Sequence, residues 1–264
     1  VKYLAEIAEE DAEGAVAELY EDIRRVLGLP LVNLVYRHLA AEGRLEEVWR
    51  GLRPSLVHPA IDAAADELMT TAAGVEVAEL SRAALAAAGV GEDELAGAVA
   101  TVDAYNHANP RNLIAIRALL EPSEGNMNGG QAQGHVSPRP VPRRLLPMAD
   151  LRRLEPPVLA LLEEMAQPFA ARRETVLVPG LFRHFAGNSA LLALLWTVLR
   201  PHVAGRRLAR RANLVDRGAR ALAATLPAPV HPVEEPESRQ VLERFAFTLP
   251  RMVVAGSVLR RALG

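Results

Sequence analysis

Two short stretches carry the residue types that can manage a proton. Residues 104 to 113 read AYNHANPRNL, the densest polar cluster in otherwise apolar helical sequence. A side-chain amide can accept a hydrogen bond from one water and donate one to it, so Asn109 and Asn112 are candidates for holding a small reactant. Asn109 before Pro110 is equally a helix start, its side chain capping the first turn. Asn112, inside that turn, is equally a plain first-turn hydrogen-bonding residue. The second stretch, residues 174 to 182, reads ETVLVPGLF. Desolvation beside this apolar run would raise the Glu174 carboxyl pKa and make it a better base. Arg172 and Arg173 adjoin it, so an exposed helix-end charge is the plainer alternative.

Other chemistries lack their signatures. The seven histidines, at 38, 58, 107, 135, 184, 202 and 231, form no His-x-x-x-His or His-Glu-x-x-His pair, and there is no cysteine. Thiolate sites and disulfides are thereby excluded, and a metal site is weakly supported. No Gly-x-Ser-x-Gly elbow, Walker lysine loop or Gly-x-Gly-x-x-Gly fingerprint occurs, so no nucleotide cofactor is expected. The net charge of -2 offers no bulk field for nucleic acid. The basic run from Arg200 to Arg220 reads as a solvated helix face, with an anion clamp as the alternative. No apolar run approaches the roughly 18 residues of a membrane span, and the amino-terminal VKYLAEIAEEDAEG is acidic, unlike a signal peptide. A soluble cytoplasmic protein is the expectation.

The elements that must position these side chains fall into two matching series. Half of the 264 residues are hydrophobic, with few aromatics and much Ala and Leu, which favours helices. Val16, Leu19 and Ile23 form one helical stripe, and Val158, Leu161 and Met165 form the same stripe. Arg37-His38 is followed by Leu45, Val48, Trp49 and Leu52, then Arg53-Pro54. Arg183-His184 is followed by Leu192, Leu195, Trp196 and Leu199, then Arg200-Pro201. Both read as amphipathic faces closed by an Arg-Pro stop. NPRNLIAIRALL and LPRMVVAGSVLRRAL complete the series, each with a proline expected in the first turn of its helix. Between the series lies a Gly-, Pro-, Asn- and Gln-rich stretch that reads as a linker. The expectation is an all-α chain, a tandem duplication packed as a pseudo-dimer: a repeat over 1–122, a linker over 123–142 and a second repeat over 143–264. Asymmetry between the copies is then informative. Asn112 stands opposite Met252, and Glu174 stands opposite Gly28.

The segment LYEDIRRVLGLPLVNLVYRHLA (19–40) resembles the first repeat of the group I 2-haloacid dehalogenases, through Tyr-x-Asp-Ile-Arg, Pro-x-Val-Asn and Arg-His-Leu-Ala. NPRNLIAIRAL resembles the end of that repeat, and LFRHFA with LLALLWTVLRP resembles the second. The resemblance covers most of the chain outside the linker. It implies two helical repeats with a pocket between them, usually assembled as a homodimer. It also implies hydrolysis of both enantiomers of short 2-haloalkanoic acids by direct attack of water, with inversion and without metal or organic cofactor. In this family an aspartate and an asparagine hold the water. The asparagine corresponds to Asn112, with Asn109 the alternative, and the aspartate position falls on Glu174. Leu31, Leu34, Tyr105 and Asn188 are then expected to line the pocket. A second class of function, a non-catalytic binding or interaction module on the same duplicated bundle, stays open because glutamate replaces the aspartate.

Overall fold

The computed structural model describes residues 2–121, 144–171, 175–226, 233 and 235–264. The expected linker at 123–142 and Glu174 lie outside the described residues. Eleven α-helices are described: α1 Gly14–Leu27, α2 Leu34–Ala41, α3 Leu45–Leu56, α4 Ile61–Ala72, α5 Arg82–Ala87, α6 Glu92–Leu120, α7 Pro156–Ala166, α8 Gly180–Phe185, α9 Ser189–Ala204, α10 Arg207–Ala223 and α11 Pro236–Leu263. Among the described residues the one β pairing is an isolated parallel bridge between Tyr3 and Val176. The all-α expectation therefore stands.

The two longest helices, α6 and α11, pack along one another and form the axis of the molecule. Every residue of α6 from Ala108 to Leu120 is buried. A helix wrapped on all sides by protein must satisfy its polar groups internally. Arg111 does so through Asp62 (Nε to Oδ1 3.0 Å) and the His107 carbonyl (2.6 Å). Arg117 does so through Asp216 (2.8 Å from Nε) and Glu121 (3.2 Å). Gly28 ends α1 in the left-handed region at φ 65°, a conformation that a Cβ would strain.

The prolines correct the expected helix boundaries. Pro110 and Pro250 sit inside α6 and α11, so no helix starts there and Asn109 is not an N-cap. Pro54 and Pro201 likewise lie within α3 and α9, not past their ends. An interior proline lacks the N–H that would bond the carbonyl four residues earlier. For Pro250 that carbonyl is Ala246, and it accepts a bond from Arg117 at 3.4 Å. The arginine after each central proline also reaches back four residues, Arg111 to the His107 carbonyl at 2.6 Å and Arg251 to the Phe247 carbonyl at 2.8 Å. Burial in the central pair supplies what the local rule lacks.

Side-chain constellations recur along the chain. Trp49 donates to Asp22 at 2.8 Å while Arg53 binds the same carboxylate at 2.8 Å. Trp196 donates to Glu164 at 3.0 Å, with Arg200 3.6 Å from the same carboxylate. In each case the tryptophan helix is pinned to the preceding amphipathic helix through one acid.

Candidate active site

A small cavity of about 40 Å³ lies where the end of the loop before α2 meets α6, α11 and the segment before α8. Its polar wall is Asn33, Asn109, Tyr105 and Thr248; Leu34, Leu177, Gly180 and Met252 supply much of the rest. That volume holds a few waters. Asn33, Thr248, Leu177, Gly180 and Met252 were not foreseen from sequence as site residues. The signal for Asn33 was present in the Pro-x-Val-Asn turn. Gly180 matters because a Cβ there would fall 2.4 Å from the Tyr105 hydroxyl. Glycine is what lets Tyr105 occupy its place.

Tyr105 is buried and its hydroxyl has no hydrogen-bond partner among the described residues. Burial pushes its pKa up, above the ordinary tyrosine range, against the opposing influence of Arg37 and Arg183. The phenol therefore stays protonated, a neutral donor.

Asn112 lies one turn beyond Asn109 on α6 and is fully buried. Its Oδ1 accepts from the Tyr36 hydroxyl at 2.8 Å, and its Nδ2 donates to Asn33 Oδ1 at 3.4 Å. Asn112 thus reaches the cavity through Asn33, whereas Asn109 borders it directly. Of the residues expected to line one pocket, Leu34, Tyr105 and Asn109 are brought together here. Leu31 faces a different and larger cleft. Asn188 is elsewhere: its Oδ1 caps α9 by accepting from Leu191 N–H at 3.0 Å, and its Nδ2 donates to Glu94 at 3.1 Å.

The larger cleft encloses about 610 Å³. It is lined by Arg37, Arg183 and His184 of the repeated Arg-His pairs and by the extended segments that precede α1 and α7. The Ile7 N–H donates to the Arg37 carbonyl at 3.1 Å, and the Ala149 N–H donates to the Arg183 carbonyl at 3.2 Å. The residue before Ile7 is Glu6, and the residue before Ala149 is Met148. Arg183 binds Glu6 at 2.6 Å; Arg37 meets Met148 Sδ at 3.0 Å and lies 3.2 Å from Glu6. Each histidine donates from Nδ1 to a carbonyl, His38 to Ala5 at 2.7 Å and His184 to Leu146 at 2.5 Å. Burial lowers both imidazole pKa values, that of His184 to about 4 with help from Arg183 and Arg37. Both are neutral near pH 7. The sequence showed the repeated Arg-His but gave no sign of Glu6, which lies in a segment without periodicity. Among the described residues no group of three or more His, Asp or Glu side chains is placed to hold a metal ion. Among them, too, no helix is long and apolar enough to cross a membrane.

The all-helical fold is that of the D-2-haloacid dehalogenases. A solved complex of a D-2-haloacid dehalogenase mutant with D-2-CPA superposes at a TM-score of 0.81, covering 100% of this chain and 97% of that one at 18% identity. A D-2-haloacid dehalogenase solved with L-LA gives 0.83 over 100% and 97% at 17% identity. In sequence, a configuration-inverting 2-haloacid dehalogenase of Alcaligenes xylosoxydans xylosoxydans is 29% identical over 174 residues, 62% of this chain and 58% of that protein. Another of the same description, from Pseudomonas sp. (strain 113), is 31% identical over 134 residues, 50% of this chain and 44% of that protein. The matches span 58% and 44% of these curated relatives. No family model matches the chain. The relatives bear out the resemblance to the group I 2-haloacid dehalogenases, at modest identity.

Proposed function

We propose that this protein hydrolyses short 2-haloalkanoic acids by direct attack of water at the halogen-bearing carbon. The observation that carries the reading is the small cavity, with asparagine amides and a neutral phenol set in a largely apolar wall, in the fold of the D-2-haloacid dehalogenases. A base takes one proton from the water as its oxygen forms the new C–O bond. The carbon–halogen bond breaks on the opposite face and halide leaves, which inverts the centre and gives a 2-hydroxy acid. No ester to the protein forms. Glu174 is the proposed base, with Asn109 and Asn112 holding or orienting the water. Asn109 does so from the cavity wall, and Asn112 acts through Asn33. Leu34 and Tyr105 bound the reactant. An apolar surround favours the step, because it leaves the attacking oxygen poorly hydrated and its charge exposed to the carbon.

The recurrence of the Trp–acid–Arg and Arg-His arrangements supports reading 1–122 and 143–264 as two copies of one unit that form opposite walls of the cavity. A two-fold homodimer and a cytoplasmic setting belong to the same reading. Light scattering at micromolar concentration tests the dimer. Halide release from both enantiomers of 2-chloropropionate tests the chemistry, with chiral analysis of the 2-hydroxypropionate for inversion. Removing the base with Glu174→Gln is expected to lower the rate by about 100-fold or more, while Glu174→Asp retains it. No halide release from either enantiomer, or full activity in Glu174→Gln, ends this mechanism.

A further inference from the structure

The small cavity cannot hold a 2-halo acid without widening. A buried water needs about 10–15 Å³ of such space, so 40 Å³ takes about three, and 2-chloropropionate has about twice that many non-hydrogen atoms. Every described residue of the wall except Leu34 is buried, so the choice of which one gives way matters. Asn33 is held by Asn112, and Thr248 donates to the Phe169 carbonyl at 2.7 Å. Tyr105 is different. Its hydroxyl is buried with no hydrogen-bond partner among the described residues, so displacing the ring breaks no hydrogen bond and lets the hydroxyl regain water.

On its other side Tyr105 meets the lining of the larger cleft. Its ring packs edge-on against His184 with centroids 5.7 Å apart, and His184 lines that cleft. Beyond burial itself, the groups that bear on its ionisation are Arg37, Arg183, Glu9 and Glu6, all of them residues of the cleft. At Gly180, on the cavity wall, a Cβ would fall 2.4 Å from the Tyr105 hydroxyl and 3.4 Å from Cε of Met148, a cleft residue with an unbranched, flexible side chain. One aromatic ring thus stands between about 40 Å³ and about 610 Å³.

We propose that the Tyr105 ring is a movable partition that admits the reactant from the larger cleft and closes again only over a short one, so that it sets the chain length the cavity accepts. The identity of the reactant rests on the reaction proposed above. A short alkyl group stays inside the cavity; the ring returns behind it and water is excluded, as the attacking oxygen requires. A longer chain crosses into the cleft and holds the ring out. The closed position exists because residue 180 has no Cβ.

The test reads binding as well as turnover. Calorimetric titration of the full protein with propionate and hexanoate, which have no halogen to lose, gives the chain-length preference. Halide release from 2-bromopropionate and 2-bromohexanoate gives it again in kcat/KM. The unchanged protein is expected to prefer the short acid. In Tyr105→Ala the extra methylenes lie in the cleft, and each one taken from water favours binding by roughly fourfold, so the preference shifts towards hexanoate by about tenfold or more. Gly180→Ala keeps the tyrosine but drives its hydroxyl off the closed position, and the same shift is expected. Adding Tyr105→Phe removes that oxygen and leaves ring carbon Cζ 3.4 Å from the new Cβ, an ordinary contact, so the double variant should prefer the short acid again. A general packing defect would not be cured by a second substitution of this kind. Equal affinity for the two acids in the unchanged protein, or no binding of either at about 50 mM, overturns the partition without any variant. So does an unshifted preference in folded Tyr105→Ala or Gly180→Ala protein, or a shift that Tyr105→Phe fails to reverse. Halide release without the shift keeps the reaction and removes the partition; the shift in binding without halide release does the opposite.

Discussion

Arg37-His38 and Arg183-His184 are built alike and finished differently. Both arginines are buried, both accept a strand-like N–H on their own carbonyls, and both histidines donate from Nδ1 to a neighbouring carbonyl. The first histidine meets Arg244 at its Nε2, while the Nε2 of the second is buried with no hydrogen-bond partner among the described residues. The second arginine bonds the Glu6 carboxylate, while the first meets a thioether and lies 3.2 Å from the same carboxylate. The shared features position helices. The unshared ones are where packing alone no longer explains the residue, and they collect in the middle of the molecule.

The largest expected separation between the two Arg-His pairs is in pH dependence. The folded pKa of His184 is held at about 4 against an ordinary 6.5, so the unfolded chain binds a proton more readily than the folded one. Stability is then complete above pH 6.5 and is lost as the pH falls towards 4. The drop amounts to about 3 kcal/mol. Urea unfolding between pH 7 and 4 should show a decline smaller by about that amount in His184→Phe than in the unchanged protein. His38→Phe should alter the slope less, because a nearby carboxylate, Glu42, and the Ala5 carbonyl favour the charged form of His38. Equal effects from the two substitutions would break the contrast.

A smaller effect is expected from exchanging the residues that differ between the long helices. Asn112→Met removes the acceptor of the buried Tyr36 hydroxyl and should cost about 2 kcal/mol in unfolding free energy. Met252→Asn sets an amide against the small cavity, where water can reach it, and should cost less. A larger loss from Met252→Asn would mean the cavity is dry. The smallest separation concerns the acids beneath the tryptophans. Burial acts to raise the Asp22 carboxyl, but bonds from Arg53, Trp49 and Arg25 outweigh it and hold its pKa at about 2. That contribution is present above the ordinary carboxylate pKa and is lost as the pH falls through about 2. Asp22→Asn should cost about 1 kcal/mol at neutral pH; Glu164→Gln, at a more exposed pair, should cost less than about 0.5 kcal/mol. Thermal melts of the two variants sharpen or erase the difference.

Much of this architecture was legible in the sequence. Helical stripes, the repeated tryptophans and the repeated Arg-His pairs each follow from periodicity or local chemistry, and the structure puts them in matching surroundings. Prolines misled, because their local rules place them in the first turn of a helix or just past its end. Four sit in helix interiors instead, where tertiary contacts outweigh the missing N–H bond. Choosing between Asn109 and Asn112 was beyond sequence for a geometric reason. Residues three apart share a helix face, and only the neighbours decide which meets the cavity. Glu6 gave no signal, since an extended strap has no pattern to read. Asn188 looked polar enough for a pocket and is a helix cap.

The straps have a consequence for how the chain folds. Tyr3, ahead of α1, pairs with Val176 ahead of α8, and its hydroxyl bonds Glu163 in α7. Leu146, ahead of α7, bonds Thr101 in α6 at 3.0 Å and packs over Gly97. Each strap crosses to the other series of helices, so neither series can complete its hydrogen bonds from its own sequence. Bonds between residues some 160 and 45 positions apart form only after long loops have closed, late in folding and at an entropic cost. Two fragments cut between α6 and α7 would each expose backbone donors that the other fragment alone can answer, which makes reassembly of the pair the route by which either becomes native.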